Sequence, residues 1–334
     1  MPHPSLNRKT QIALFTLIGK RMKANQNMTQ MKAAKALKAG QLVAFPTETV
    51  YGLGADAENQ AAVKRIYTVK DRPKDHPLIV HVSSPNLLNY WAINIPDYAI
   101  KLAKDFWPGP MTLIFKRSQN AKDFITGGQD TVGIRIPNHP VAQELLKEFE
   151  ALGGKGVAAP SANRFGKVSP TTKKAVEEEL DQYLTKADLI LEGGMSEVGI
   201  ESTIINCTND SPSILRPGGI TQSMIENSTN LKTTKANTSI RVSGSLDQHY
   251  SPSAKVILNQ TPNEGDGFIA LKNIPTPKGA IRLAEPKDTS DYARILYSSL
   301  RLADEKSLKT VIAITPEGDE LSIAIQDRLK RASN

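Results

Sequence analysis

The apolar run Gln41–Ala44 passes without a break into Phe45-Pro46-Thr47-Glu48-Thr49-Val50-Tyr51-Gly52-Leu53-Gly54. Small hydroxyls and bare backbone therefore stand at the tip of a strand that an ordinary turn could have closed. Taken alone, the stretch reads first as a common hydroxyl-rich turn; the second reading is one wall of a site for a small polar ligand. Glycine favours the second reading, because it lets a ligand approach the main chain closely. The same character recurs after other short apolar runs. It is found at Ala158-Ala159-Pro160-Ser161-Ala162-Asn163, at Glu201-Ser202-Thr203, and at Leu215-Arg216-Pro217-Gly218-Gly219.

Around these strand ends, helical and extended patterns mix without strict alternation. Met31–Gly40 reads as a helix ended by its glycine, and Ala62, Ile66 and Val69 share one helical face. Helices are also predicted over Asp97–Trp107, stopped by Pro108-Gly109-Pro110, and over Pro140–Leu152, where proline at the first position loses no hydrogen bond. Strands are predicted over Pro77–Val82, Met111–Lys116 and Thr131–Ile136, with short ones at Gly156–Ala159, Asp188–Leu191, Ser202–Asn206 and Ser213–Arg216. This pattern predicts a mixed α/β sheet of the α+β type, not a doubly wound parallel one.

After Glu226 the composition turns to Thr, Asn and Ser with almost no apolar periodicity, which marks a linker. Beyond it, Lys255–Asn259, Gly267–Leu271, Gly279–Ala284 and Leu308–Ile314 read as strands, with a helix over Ser290–Lys306 and another at the C-terminus. The expected organisation is a basic N-terminal extension (1–28), a main domain (29–226), a linker (227–254) and a small α/β domain (255–334).

The net charge of +8 suggests a nucleic-acid partner until its distribution is read. Eight basic residues and no acidic one precede Glu48, and the remainder of the chain is balanced. Whole-chain charge is therefore weak evidence for a binding surface. The basic leader suits either a disordered extension before a later start codon or an organelle transit peptide. Cys207 is the single cysteine, which precludes a disulfide framework within one chain and fits a reducing, cytoplasmic setting. The early apolar stretch Ile12–Gly19 is too short to span a bilayer, so no membrane association is expected.

Several residues could carry chemistry. Lys70 and Arg72 follow a helix C-terminus, where a cation complements the dipole. Arg72 is also fixed by Pro73, so the two cations form a rigid pair suited to a polyphosphate. Ser161 and Asn163 alternate on an extended segment and would face one way. Arg135 shares a strand face with Thr131 and Gly133 and could clasp a carboxylate bidentately, although a surface arginine would need no explanation. His249-Tyr250 at the end of the linker would ordinarily be only a loop. No Walker phosphate loop, dinucleotide fingerprint or zincin helix is present, and the five histidines have no zinc-ligand spacing.

Together, Pro46–Gly54, Lys70/Arg72, Ser161/Asn163, Ser202–Ile205, Leu215–Gly218 and His249–Pro252 resemble the threonylcarbamoyl-AMP synthase family. The resemblance is to its long form, with a YrdC-like domain and a C-terminal accessory domain. It runs in order from about Met31 to Gly219 and resumes at His249 and in the last helix. It implies an open, twisted, mostly antiparallel sheet around a large basic cavity. It also implies formation of threonylcarbamoyl-AMP and pyrophosphate from L-threonine, bicarbonate and ATP, with Mg²⁺ accompanying the nucleotide and no metal ligand from the protein. The product would pass to a tRNA-modifying transferase complex.

Carried over by position, Thr49, His81, Arg135, Ala159 and Ser202 match threonine-binding residues. Arg72, His76, Thr131, Ser161, Ser169 and Arg216 match nucleotide-binding ones. Lys70, Arg72, Ser161 and Asn163 would act at the phosphates, and Tyr250 would sit on a lid. The linker departs from the family pattern, keeping only Gly244 and the His-Tyr-Ser-Pro run. A competing reading is a non-catalytic module that presents the same cavity to RNA. Weak RNA binding is compatible with either.

Overall fold

The computed structural model describes residues 28–235, 239–244, 249–318 and 320–334. The expected basic extension lies outside the described residues apart from Met28, as does part of the linker.

Ten strands form the main sheet. They are β1 (Val43–Phe45), β2 (Gly52–Asp56), β3 (Ile79–His81), β4 (Ala92–Ile93), β5 (Met111–Arg117), β6 (Thr131–Arg135), β7 (Val157–Ala158), β8 (Leu189–Ile190), β9 (Thr203–Asn206) and β10 (Ser213–Arg216). Their order is β10-β9-β5-β6-β3-β7-β2-β1-β8, with β4 pairing on β5. The sheet is mixed, with parallel pairs only at β1–β8, β3–β6 and β5–β9. Antiparallel pairing predominates, as expected.

Helices cover the sheet because their apolar faces match it. Ala33, Ala34 and Leu37 of the helix over 28–38 pack with Leu145, Leu146 and Phe149 of the helix Pro140–Ala151 against β1. A larger cluster joins Val63, Ile66 and Tyr67 of the helix Gln60–Lys70 to Leu102 of the helix Asp97–Phe106 and to Trp91 and Phe115. Asn59 caps the first of these by accepting from the Ala62 N–H, and Asp71 ends it in the left-handed region at φ 53°. That reversal brings Arg72 back over the sheet. Two further helices, Lys173–Leu180 and Gln222–Thr229, were not predicted. Each starts on a threonine, Thr172 or Thr221, whose hydroxyl accepts from a first-turn N–H.

The second sheet has order β11-β14-β12-β13, with β11 (Lys255–Leu258), β12 (Gly267–Ile269), β13 (Ile281–Ala284) and β14 (Thr310–Ala313). All its pairings are parallel. Its helices Thr289–Glu305 and Glu320–Ser333 bury Tyr292, Leu296, Tyr297 and Leu329 in a cluster that also takes in Val50, Val168, Ile200 and Tyr250. One apolar core thus spans the main domain, the linker and the small domain. At Gly199, φ +79°, a Cβ would lie 2.3 Å from the Arg294 Cα, so only glycine allows this contact between main chains. No helix among the described residues is long and apolar enough to cross a membrane.

Candidate active site

The strand register gathers the predicted residues. β3 and β6 run side by side with His81 opposite Arg135, which places both at the C-terminal ends of neighbouring strands. Gly52, at the start of β2, bridges to Ser161. Ser202 precedes β9, and its hydroxyl lies 2.8 Å from that of Thr112 on β5. Arg216 ends β10 and donates through Nε and Nη2 to the Ser202 carbonyl, at 3.1 and 2.8 Å.

These residues surround one narrow hollow of about 50 Å³. Arg72, Arg135, Ser161 and Ser202 all line it, together with His81, Ala159, Arg216 and Tyr250. The linker enters the same space. Ser243 accepts from Arg72 Nη2 at 3.2 Å, and its carbonyl accepts from Arg216 Nη1 at 2.8 Å. Tyr250 is stacked on Tyr297 with ring centroids 5.5 Å apart. Its backbone is left-handed, φ 62°, a conformation that a bulky side chain adopts only when its surroundings hold it there.

The hollow is electropositive but not uniformly so. Arg135 donates to Glu48 Oε1 at 2.7 Å, and the Asn138 N–H donates to the other oxygen of Glu48 at 2.9 Å. Burial lowers Arg72 to about 10, still cationic at neutral pH. Burial first, and Arg135 second, push His81 down to about 3, so its ring is neutral at physiological pH. Three lining groups carry buried polar atoms without a partner among the described residues: Arg72 Nε, Arg135 Nε and Tyr250 Oη. Unpaired buried donors on residues that line one cavity are what a polar ligand site requires.

Other predicted residues stand behind this wall. The Lys70 ammonium is fully buried and donates to the carbonyls of Ser161 (2.7 Å) and Asn163, away from the hollow. Asn163 Nδ2 donates to the Arg164 and Lys167 carbonyls, which fixes the loop between them. Thr49 hydrogen-bonds the Thr47 hydroxyl at 2.8 Å, and it is Thr47 that lines the hollow. Ser169 donates to Glu201 Oε1 at 2.6 Å. His76 packs edge-on against Phe165, while Thr131 lines an adjoining cleft with Ile79, Val242 and Ser243. The motif reading missed Glu48 as the partner of Arg135, Ser243 as a partner of two arginines, and Glu201 as an ion-pair residue. All three depend on contacts distant in sequence. Among the described residues no group of three or more His, Cys, Asp or Glu side chains could hold a metal ion.

Buried neutral histidines make stability pH-dependent. His81 and His249 both titrate near 3 in the fold, below the usual 6.5, burial being the larger cause in each. The unfolded chain therefore takes up their protons first as pH falls. Their contribution is complete above about pH 6.5 and is lost progressively toward pH 3. We expect the unfolding temperature to drop between pH 7.5 and 4.5, and the drop to be shallower in a His81→Gln/His249→Gln variant (differential scanning calorimetry). Equal drops in both proteins would contradict this.

The comparisons with known proteins agree with the geometry. A family model described as telomere recombination, covering the Sua5, YciO and YrdC proteins, matches residues 35–218. A second, described as the threonylcarbamoyl-AMP synthase C-terminal domain, matches residues 220–334. The threonylcarbamoyl-AMP synthase of Pyrococcus abyssi is 37% identical over 328 residues, spanning 90% of this chain and 93% of that protein. That of Bacillus subtilis is 36% identical over 325 residues, spanning 90% and 92%. The crystal structure of P. abyssi Sua5 complexed with L-threonine superposes with a TM-score of 0.82 at 36% identity, covering 92% of this chain and 94% of that one. The two family models together, and each of the two relatives, extend over the strands that build the hollow and over the small domain, and the chain belongs to the threonylcarbamoyl-AMP synthase family.

Proposed function

We infer that this protein is an L-threonylcarbamoyladenylate synthase, a nucleotidyltransferase that joins L-threonine, bicarbonate and ATP and releases pyrophosphate. The observation that carries this reading is the convergence of Arg72, Arg135 and Arg216 with Ser161 and Ser202 on one hollow. Threonine's carboxylate pairs with Arg135, whose Nε is unpartnered. Its amine condenses with bicarbonate, losing water, to give a carbamate. A carbamate oxygen then attacks the α-phosphorus of ATP, the bond to the β-phosphate oxygen breaks, and pyrophosphate departs. The reaction needs no nucleophilic side chain.

Holding the partners in line supplies about 7–11 kcal/mol of the barrier in well-oriented systems. Arg72 and Arg216 stabilise the charge that builds on the leaving pyrophosphate. Mg²⁺ would enter with ATP as part of the substrate and would offset the charge of its phosphates. For the nucleotide to enter, Ser243 must release both arginines. The linker then closes again over the labile product with Tyr250 and excludes water.

In this reading the protein acts in the cytoplasm and hands its product to a tRNA-modifying transferase. The alternative of a non-catalytic RNA-binding module is not supported. The hollow is closed by the linker, and the family model that matches residues 220–334 describes a threonylcarbamoyl-AMP synthase domain. The test is mass spectrometry of the products after mixing with threonine, bicarbonate, Mg²⁺ and ATP, with serine as control. Threonylcarbamoyl-AMP with threonine and little product with serine is expected. No adenylate in the threonine reaction would refute the assignment.

Arg135→Ala is expected to weaken threonine binding by about tenfold or more, the scale of one lost charge-assisted hydrogen bond. Titration calorimetry that shows unchanged threonine affinity would remove Arg135 from this role.

A further inference from the structure

The small domain reaches the site through two side chains, Tyr297 and Arg328, of which Arg328 carries the charge. Arg328, on the last helix, is 0% exposed, and its guanidinium makes three contacts. Nε donates to Glu201 Oε2 at 2.9 Å, Nη2 to the Pro217 carbonyl at 3.0 Å, and Nη1 to Asp327 at 2.6 Å. Glu201 immediately precedes Ser202, and Pro217 immediately follows Arg216. The same guanidinium lies 5.4 Å from the centroid of the Tyr250 ring. One cation from outside the main domain thus grips the chain beside two residues of the hollow and packs against the closing tyrosine.

We infer that Arg328 is a positioning residue of the active site, which holds the Glu201 carboxylate so that Arg216 stays turned into the hollow for the nucleotide's phosphates. This inference rests on the proposed function.

The argument is electrostatic. Glu201 lines the same hollow as Arg216. A carboxylate there would repel a polyphosphate and attract the neighbouring guanidinium to itself. Burying it at all requires a partner. Arg328, Tyr297 and Ser169 saturate it, with the Tyr297 hydroxyl donating at 2.8 Å and that of Ser169 at 2.6 Å. Arg216 makes no hydrogen bond to Glu201. It donates instead to the Ser202 carbonyl and, through Nη1, to the Ser243 carbonyl at 2.8 Å. The Ser243 carbonyl occupies a place that a phosphate oxygen can take. Remove the Arg328 charge, and the unpaired Glu201 competes for Arg216. A task for the small domain follows: it supplies the countercharge that makes this wall of the hollow fit for an anion.

The test uses titration calorimetry on the full chain with a non-hydrolysable ATP analogue. Arg328→Met should weaken nucleotide binding by about tenfold or more, the scale of one lost charged contact. Adding Glu201→Gln to that variant should restore most of the affinity, because the competing charge is gone. A purely structural role predicts the reverse, since the double variant has lost still more buried hydrogen bonds. Should Arg328→Met fail to fold, Arg328→Lys keeps the charge and should bind within about threefold of wild type, retaining the ion pair but not the fork. Unchanged affinity in Arg328→Met, no recovery in the double variant, or loss of binding in a folded Arg328→Lys would each overturn the inference. A wild-type chain that binds no nucleotide would instead overturn the proposed function itself.

Discussion

Arg72→Ala is expected to lower kcat/KM for ATP-dependent pyrophosphate release by about a hundred- to a thousandfold, the range seen when one preorganised charge-stabilising donor is removed. Arg72 lines the hollow, is largely buried, and is followed by Pro73. Its Nη2 is anchored to the Pro77 carbonyl at 3.0 Å, its guanidinium carbon sits 5.6 Å from the Phe165 ring centroid, and its Nε is unpartnered. The side chain is therefore held in place while part of its hydrogen-bonding capacity stays available. That is preorganisation in the sense that matters for a developing charge. Lysine cannot reproduce the planar fork, so Arg72→Lys should remain well below wild type. A coupled pyrophosphate assay decides this, and near wild-type turnover in Arg72→Ala would contradict the role.

Lys70→Met is expected to damage both stability and activity, through a different route. The ammonium does not face the hollow; it ties the Ser161 and Asn163 carbonyls together from beneath. Methionine keeps the volume and leaves both carbonyls buried without a donor, at about 1–3 kcal/mol for each. Avoiding the burial of an amine, whose pKa burial and Arg72 together push well below the ordinary lysine value, offsets part of this. The net outcome should be a lower unfolding temperature. Pyrophosphate release should also fall by about a hundredfold, because the Ser161 loop loses its fixed geometry. If Lys70 served the phosphates directly, the variant would melt like wild type and lose only nucleotide affinity. Melting and calorimetry on one preparation separate the two outcomes.

Much of the site was legible because its residues are confined to short strand-end motifs. Ser161 and Ser202 stand beside a proline and a threonine at strand ends, Arg72 stands before a proline past a helix end, and Arg135 lies two residues from a glycine and a proline. What brings them together was not legible. The pairing of β3 with β6, which sets His81 opposite Arg135, depends on strands about fifty residues apart in sequence. The partners that orient the arginines are as remote, with Glu48 and Arg135 separated by 87 residues and Glu201 and Arg328 by 127. No local pattern records such a contact.

How the linker docks was not legible for a related reason. Its composition is polar and aperiodic, yet Val242 is buried against Ile114 and Ile204 of the main domain and Tyr250 against Tyr297 of the small one. Two well-placed side chains are enough to dock a segment and too few to leave a periodicity. The helices Lys173–Leu180 and Gln222–Thr229 escaped notice because they are short and mostly polar, and their threonine caps read equally well as loop residues. The second unit was recognised as α/β, but strand order within it depends on contacts between strands and not on the strands themselves.

The central claim is that a single hollow holds an amino acid's carboxylate beside a nucleotide's α-phosphorus. A crystal structure of the protein with L-threonine and a non-hydrolysable ATP analogue tests it most directly. The account predicts the threonine carboxylate within hydrogen-bonding distance of Arg135 and the phosphates between Arg72 and Arg216, with Ser243 displaced from both. Threonine and nucleotide bound at separate surfaces, or phosphates that leave Arg72 and Arg216 with their linker partners, would contradict it.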